Sequence, residues 1–304
     1  MLNLENRAHT FTGQGSQRPD MFEGLEQSPE AWKIIETANG IIGFSLFGLS
    51  PEDLNQTKYV QPAIVACDMA LLAATRELHP DLPEPAFDLG HSVGEYCALV
   101  DAGVIDTETA LYLVEQRGLL MELLSPEGRM AALLGFENQE QVAEICKQTG
   151  TEEANFNGPT QIVISGGFSE MRNAMEMAKE AGMRVVLLKA SHPFHSSLMQ
   201  PVQDEFRKTI TNIEFKEPKI PVISNITARP FQCADEIKLS LIKQIVMPVR
   251  WADSIRVAKE RGVNTFLEFG PKPILTGLLN KIAPEANGFC VYDYISAQAL
   301  AVEV

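Results

Sequence analysis

The most constraining feature of this chain is a serine held between two glycines. The segment Gly90-His91-Ser92-Val93-Gly94-Glu95-Tyr96 follows a short apolar stretch, Ala86 to Leu89, and opens a helix-like run that ends near Gly103. That is a G-x-S-x-G in the strand, turn and helix setting of a nucleophile elbow. Glycine on either side removes the Cβ atoms that would collide with the flanking strand and helix, so the serine stands exposed on a sharp turn. The helix that follows directs its N-terminus at Ser92, where unpaired N–H groups favour negative charge. A plain strand-to-helix turn is the alternative without chemistry.

A serine hydroxyl needs a base to become a nucleophile. The chain has five histidines: His9, His79, His91, His192 and His195. His91 adjoins Ser92 and, on a tight turn, should point away from it. His9 and His79 sit in polar segments and read as surface residues. The remaining two lie in Ser191-His192-Pro193-Phe194-His195-Ser196. As a metal motif this H-x-x-H is weak, because proline disrupts a helical pair and no further ligand cluster accompanies it. A conventional α/β-hydrolase would carry its histidine near the C-terminus after an acidic residue. No histidine follows His195, so a general esterase fits poorly.

Periodicity gives the surrounding organisation. Residues 60–78 carry apolar side chains at helical spacing, with Pro62 expected in the first turn. Residues 106–124 open on an acidic cap and continue as an apolar helix that includes Arg117. Between 128 and 190 the rhythm changes to strand (130–136), helix (139–147), two strands (154–157 and 162–165), helix (169–181) and strand (184–188). This βαββαβ order is the ferredoxin-like split unit. Beyond it, Pro221 to Ser224 and Thr265 to Phe269 read as buried strands flanking a helix at Trp251 to Lys259. The expected fold is α/β: an α/β-hydrolase-like large subdomain with a parallel sheet (1–127 and 191–304) and an inserted ferredoxin-like small subdomain (128–190).

Composition narrows the function. With 304 residues, 45% hydrophobic and 21% charged, the chain can bury a sizeable core. A net charge of −15 argues against nucleic acid as a ligand, since phosphate contact relies on clustered Lys and Arg. No apolar run approaches the ~18 residues of a membrane span, and the opening residues, MLNLENRAHT, lack the pattern of a secretory signal. Five widely spaced cysteines without a CxxC suggest neither a disulfide framework nor a zinc cluster, and a cytoplasmic location is expected.

Together these residues resemble the malonyl-CoA:acyl-carrier-protein transacylases and the acyltransferase domains of polyketide synthases. The resemblance runs over essentially the whole chain. It rests on Phe11-Thr12-Gly13-Gln14-Gly15-Ser16-Gln17, Gln61-Pro62-Ala63, the Ser92 elbow, Gln116-Arg117-Gly118, Asn155-Phe156-Asn157-Gly158-Pro159, Gln161 to Gly166, the His192 to Ser196 segment, Pro248-Val249-Arg250-Trp251 and Glu268-Phe269-Gly270-Pro271. The Phe11-Thr12-Gly13 spelling leans to the polyketide type.

The resemblance implies a ping-pong transfer of malonyl from malonyl-CoA to an acyl carrier protein, with no metal or redox cofactor. Ser92 would be the nucleophile and His195 its base, oriented by a backbone carbonyl expected at Arg250. The backbone N–H groups of Gln14 and Val93 would form the oxyanion hole. Arg117 would bind the substrate carboxylate through a bidentate fork, its alternative being an ion pair with Glu115 or Glu122. Gln61, His91 and Phe194 would line the substrate pocket, Phe194 occupying the space of an α-methyl group. Pro193 departs from the alanine more usual there. Lys189, Arg250, Lys272 and Lys281 are candidate cations for docking an acidic carrier. The competing readings are an acyl hydrolase using the same pair and a non-catalytic scaffold that keeps the fold.

Overall fold

The computed structural model describes residues 6–300; residues 1–5 and 301–304, at the ends of the expected large subdomain and including the start of the segment read for a signal, lie outside the described residues. The chain begins β1 (Arg7–Phe11), α1 (Pro29–Ile41), α2 (Thr57–Leu78), β2 (Phe87–Gly90), α3 (Glu95–Asp101), α4 (Thr107–Leu124). It continues β3 (Arg129–Leu134), α5 (Gln139–Thr149), β4 (Glu152–Gly158), β5 (Gln161–Gly166), α6 (Phe168–Glu180), β6 (Arg184–Leu187). It closes α7 (Gln200–Thr211), α8 (Ala234–Gln244), α9 (Trp251–Glu260), β7 (Thr265–Phe269), α10 (Ile274–Ile282), β8 (Asn287–Val291), α11 (Tyr294–Gln298).

The first sheet has the order β2-β1-β7-β8, and every adjacent pair is parallel. Parallel strands need crossover connections, and the helices that supply them cover the sheet; β1, β2 and β7 are buried along their whole length. The second sheet, β4-β5-β3-β6, is antiparallel throughout. With α5 and α6 packed on one face it is the βαββαβ unit, and its own apolar cluster includes Leu133, Val142, Ile162 and Met171. The α/β fold class read from the sequence is therefore the one observed.

Three local expectations are corrected. Helix α2 begins at Thr57, so Pro62 lies inside it and not in its first turn; the first turn is polar and carries no apolar period to reveal it. Residues 221–224 form isolated bridges, Asp88 to Val222 and Ile223 to Pro230, and not a strand of the sheet. His9 is buried in the middle of β1 and not on the surface. Its Nδ1 meets Asp101 Oδ2 at 2.7 Å, Arg7 Nε donates to its Nε2 at 3.2 Å, and Arg76 pairs with Asp101 at 2.6 Å. Among the described residues, His9, Asp88 and Asp101 bring their donor atoms within 4.8 Å of one another, as metal ligands would. The two guanidinium groups already supply the positive charge there, and burial beside Asp101 pushes the Asp88 carboxyl well up. His79 is half-buried and donates from Nε2 to the Ala297 carbonyl at 2.8 Å.

Candidate active site

Ser92 stands at the carboxyl end of β2 with φ 53°, in the left-handed region that residues with side chains seldom occupy. The two glycines make that turn possible. A Cβ on Gly90 would lie 2.0 Å from the carbonyl group of Gly94, and one on Gly94 would lie 2.4 Å from the Phe11 oxygen. The elbow is thus locked against the end of β1, the strand that leads into Gln14.

His195 reaches the site from the loop between β6 and α7, and its Nε2 lies 2.8 Å from Ser92 Oγ. It too has a positive φ, 57°. Its Nδ1 donates to the Gln244 carbonyl at 2.8 Å and sits 3.2 Å from that of Met247. A proton held on Nδ1 leaves Nε2 free to accept the serine proton. The carbonyl expected at Arg250 is therefore displaced to the end of α8. The Arg250 oxygen instead accepts from the N–H and hydroxyl of Ser254, at the start of α9. Burial, reinforced by the Arg117 cation, pushes the His195 imidazole down to about 3, so the ring is neutral and its Nε2 lone pair faces Ser92 Oγ.

Arg117 projects from α4 and is 1% exposed. One arm donates to Gln61 Oε1 at 2.5 Å; the other lies 3.3 Å from Ser92 Oγ and 3.1 Å from Gln244 Oε1. Neither acidic alternative is its partner: Glu115 accepts from Gln116, and Glu122 lies 3.9 Å from His192. Among the described residues no carboxylate lies within ion-pair distance of Arg117, and its Nε has no acceptor. Close helix packing brings it there. A Cβ on Gly118 would lie 2.9 Å from the Thr57 oxygen, so α4 touches the backbone of α2 one residue from Arg117 and four from Gln61.

These groups open into a cavity of about 610 Å³, an ordinary size for a small-molecule site. Gln14, Gln61, His91, Val93, Phe194 and Met121 all line it. Val93 is the second residue of a short 3-10 turn, Ser92–Gly94, where an N–H has no partner within the turn. The Gln14 side chain is anchored toward Thr57 Oγ1 at 3.4 Å. His91 turns its Nε2 to Asn157 Oδ1 at 2.9 Å and its ring toward Trp251. The antiparallel unit contributes Met130, Asn155, Leu187 and Leu188 to the wall. Of the four candidate cations, Lys189 and Lys272 line the cavity, whereas Arg250 pairs with Asp253 and Lys281 with Gln161.

Sequence reading misses three buried polar residues of this site: Glu95, Asn225 and Gln244. Asn225 Oδ1 accepts from the Ser92 N–H at 2.7 Å, and Gln244 Nε2 donates to the Ser92 carbonyl at 3.1 Å. Only Glu95 carries a local signal, its place beside the second glycine of the elbow.

The acyl transferase domain family matches residues 8–295. The chain is 41% identical over 290 residues to polyketide biosynthesis protein ThaF of Burkholderia thailandensis, an alignment that covers 92% of this chain and 24% of that much longer protein. It is 36% identical over 309 residues to the malonyl CoA-acyl carrier protein transacylase of Haemophilus influenzae, covering 98% of each. Among solved structures, an acyl carrier protein S-malonyltransferase from Vibrio cholerae superposes with a TM-score of 0.92 at 38% identity, over 98% of this chain and 100% of that one. A malonyl-transacylase in complex with a type II polyketide synthase acyl-carrier protein gives 0.91 at 35%, over 96% and 98%. A match of this extent, over an elbow and a fold already traced residue by residue, means that the chain belongs to the acyl transferase domain family.

Proposed function

We propose that this chain moves a malonyl group from coenzyme A to the phosphopantetheine thiol of an acyl carrier protein by two successive displacements at Ser92. In the first, Ser92 Oγ attacks the thioester carbonyl while His195 Nε2 takes its proton. The C–S bond then breaks, and the same proton leaves with the coenzyme A thiol. In the second, the carrier thiol attacks the malonyl ester and gives its proton to His195. The Ser92 oxygen recovers that proton as the C–O bond breaks. The N–H groups of Val93 and Gln14 stabilise the oxyanion in both halves, a contribution of roughly 3 kcal/mol per donor. Nucleophile, base and oxyanion donors all come from the protein, so the chemistry calls on no metal or redox group.

One observation carries the choice of substrate: a fully buried guanidinium, 3.3 Å from Ser92 Oγ, with no carboxylate among the described residues at ion-pair distance. A buried cation is costly unless an anion meets it. The free carboxylate of malonate would meet it through the two-pronged geometry that arginine favours. Phe194, buried against the cavity, takes the room that an α-methyl group needs and favours malonyl over methylmalonyl. A hydrolase of simple acyl chains has no use for such an arginine. Lys189 and Lys272 at the cavity suit the phosphates of coenzyme A or of the carrier's prosthetic arm. We read residues 128–190 as a small subdomain forming one wall of the site. The free thiols at all five cysteines suit a cytoplasmic setting.

Intact-protein mass spectrometry tests the proposal. Brief incubation with malonyl-CoA should add one malonyl group that moves to a holo carrier protein. Ser92→Ala should abolish the adduct, and Arg117→Ala should weaken the malonyl adduct far more than an acetyl one. An adduct that decays to free acid without loading any carrier would overturn the transferase reading in favour of hydrolysis.

A further inference from the structure

Glu95 lies one residue beyond the elbow, is fully buried, and is not part of the cavity wall. Three donors converge on its carboxylate. Oε1 accepts from the Asn225 N–H at 2.8 Å and faces Asn225 Nδ2 at 3.2 Å, and Oε2 accepts from Gln244 Nε2 at 2.5 Å. Above about pH 7, where Glu95 is ionised, its carboxylate only accepts hydrogen bonds, so both amides turn their NH2 groups toward it. Their oxygens then point the other way. Asn225 Oδ1 receives the Ser92 N–H at 2.7 Å, and Gln244 Oε1 receives an Arg117 N–H at 3.1 Å. The same NH2 groups also reach the carbonyls on either side of the turn, Gly90 at 2.6 Å and Ser92 at 3.1 Å. Gln244 further lends its own backbone carbonyl to His195.

We infer that Glu95 is a positioning residue for acylation: its carboxylate fixes the polarity of the Asn225 and Gln244 amides, and these hold the strained nucleophile, its base and Arg117 in register. The inference rests on the transferase reading only for the identity of the acyl donor. Replacing Glu95 by glutamine shows why charge type matters more than shape. The new NH2 faces an amide NH2; if Gln244 flips to relieve this, its NH2 faces Arg117, and if Asn225 flips, its NH2 faces the Ser92 N–H. Every arrangement leaves donor against donor inside a buried site.

The test follows the labelling of Ser92 by intact mass with two reagents, malonyl-CoA and a fluorophosphonate that reports serine reactivity without needing Arg117 or a carrier. At about pH 8.5, where Glu95 is ionised, Glu95→Gln should slow both reactions by about 10- to 100-fold, the cost of a misplaced reacting group, with kcat falling far more than KM for malonyl-CoA. Introduced into Gln244→Ala, which keeps the backbone carbonyl that holds His195, Glu95→Gln should add much less than it does alone, because part of its route is already gone. Asn225→Asp, which sets a second acceptor against Glu95, should show the same selective slowing and serves if Glu95→Gln does not fold. Labelling within about twofold of wild type, full additivity in the double variant, or a slowing that only tracks loss of folded protein would overturn the inference. A wild-type chain labelled by the fluorophosphonate but not by malonyl-CoA would sink the transferase reading and leave the comparison of variants valid.

Discussion

At the scale of single residues, the site is governed by what surrounds each titratable group. His195 is buried, faces the Arg117 cation, and has its Nδ1 proton committed to a carbonyl, so its folded-state value falls to about 3. A base with that value stays unprotonated across the whole range in which the protein would work. NMR titration of the imidazole should show no protonation down to about pH 4, against an ordinary histidine value of about 6.5. Arg117→Ala removes the nearby positive charge and should raise the His195 value measurably. An imidazole that titrates near 6.5 in the wild type would contradict both the burial and the cation effect. Arg117 therefore has two consequences for one residue: in the proposed reaction it meets the substrate carboxylate, and its charge holds the His195 value down.

At the scale of elements, the crossing of α2 and α4 sets the distance between Gln61 and Arg117. It depends on the absence of a side chain at Gly118, where a Cβ would come 2.9 Å from the Thr57 oxygen and 3.1 Å from Lys58 Cα. Both are backbone atoms that cannot swing aside. Gly118→Ala should therefore push the helices apart, costing about 1–3 kcal/mol in denaturant unfolding and raising KM for malonyl-CoA as the guanidinium moves off its partner. Unchanged stability and KM would show that the crossing can relax. Helices of this kind are legible in the sequence because cap and period coincide: Asp106 accepts from the Thr109 N–H at 2.8 Å, at the start of an apolar run. The βαββαβ order is legible for the same reason, each strand and helix being short and clearly bounded. Strand β1 is not, because its buried residues include Arg7, His9 and Thr10, whose polarity is compensated by residues far along the chain. The motif singles out Ser92, elimination narrows the histidines to His192 and His195, and the family resemblance points to His195, yet Asn225 and Gln244 stay hidden. Their partners are 133 and 152 positions away from them, at the elbow, and nothing in their local sequence marks them.

At the scale of the whole molecule, the two sheets meet at the chemistry, and folding and catalysis draw on the same buried groups. The N–H of Phe156 in β4 donates to the Val249 carbonyl at 2.8 Å and the Val249 N–H returns a bond to Ala154 at 2.9 Å, so the antiparallel unit is stitched to the segment entering α9. Its loop exit carries Pro193 against Gly128, where a Cβ would lie 2.8 Å from the proline ring, and His195 follows two residues later. Unfolding releases that histidine into water, where it takes up a proton below about pH 6.5; in the folded chain it does not until about pH 3. Over that interval the unfolded state binds more protons, so this group lowers stability as pH falls. Glu95 works in the opposite sense: burial raises its folded value to about 7, so its contribution diminishes as pH rises from about 4.5 toward that value. A comparison of wild type with His195→Ala cancels such carboxylate effects to first order. The variant should gain on the wild type by roughly 2–3 kcal/mol between pH 7.5 and pH 4.5, read from guanidinium unfolding midpoints at the two pH values. A difference that does not change with pH would mean that the imidazole protonates as readily in the folded protein as in the unfolded one, so that neither burial nor Arg117 holds it down.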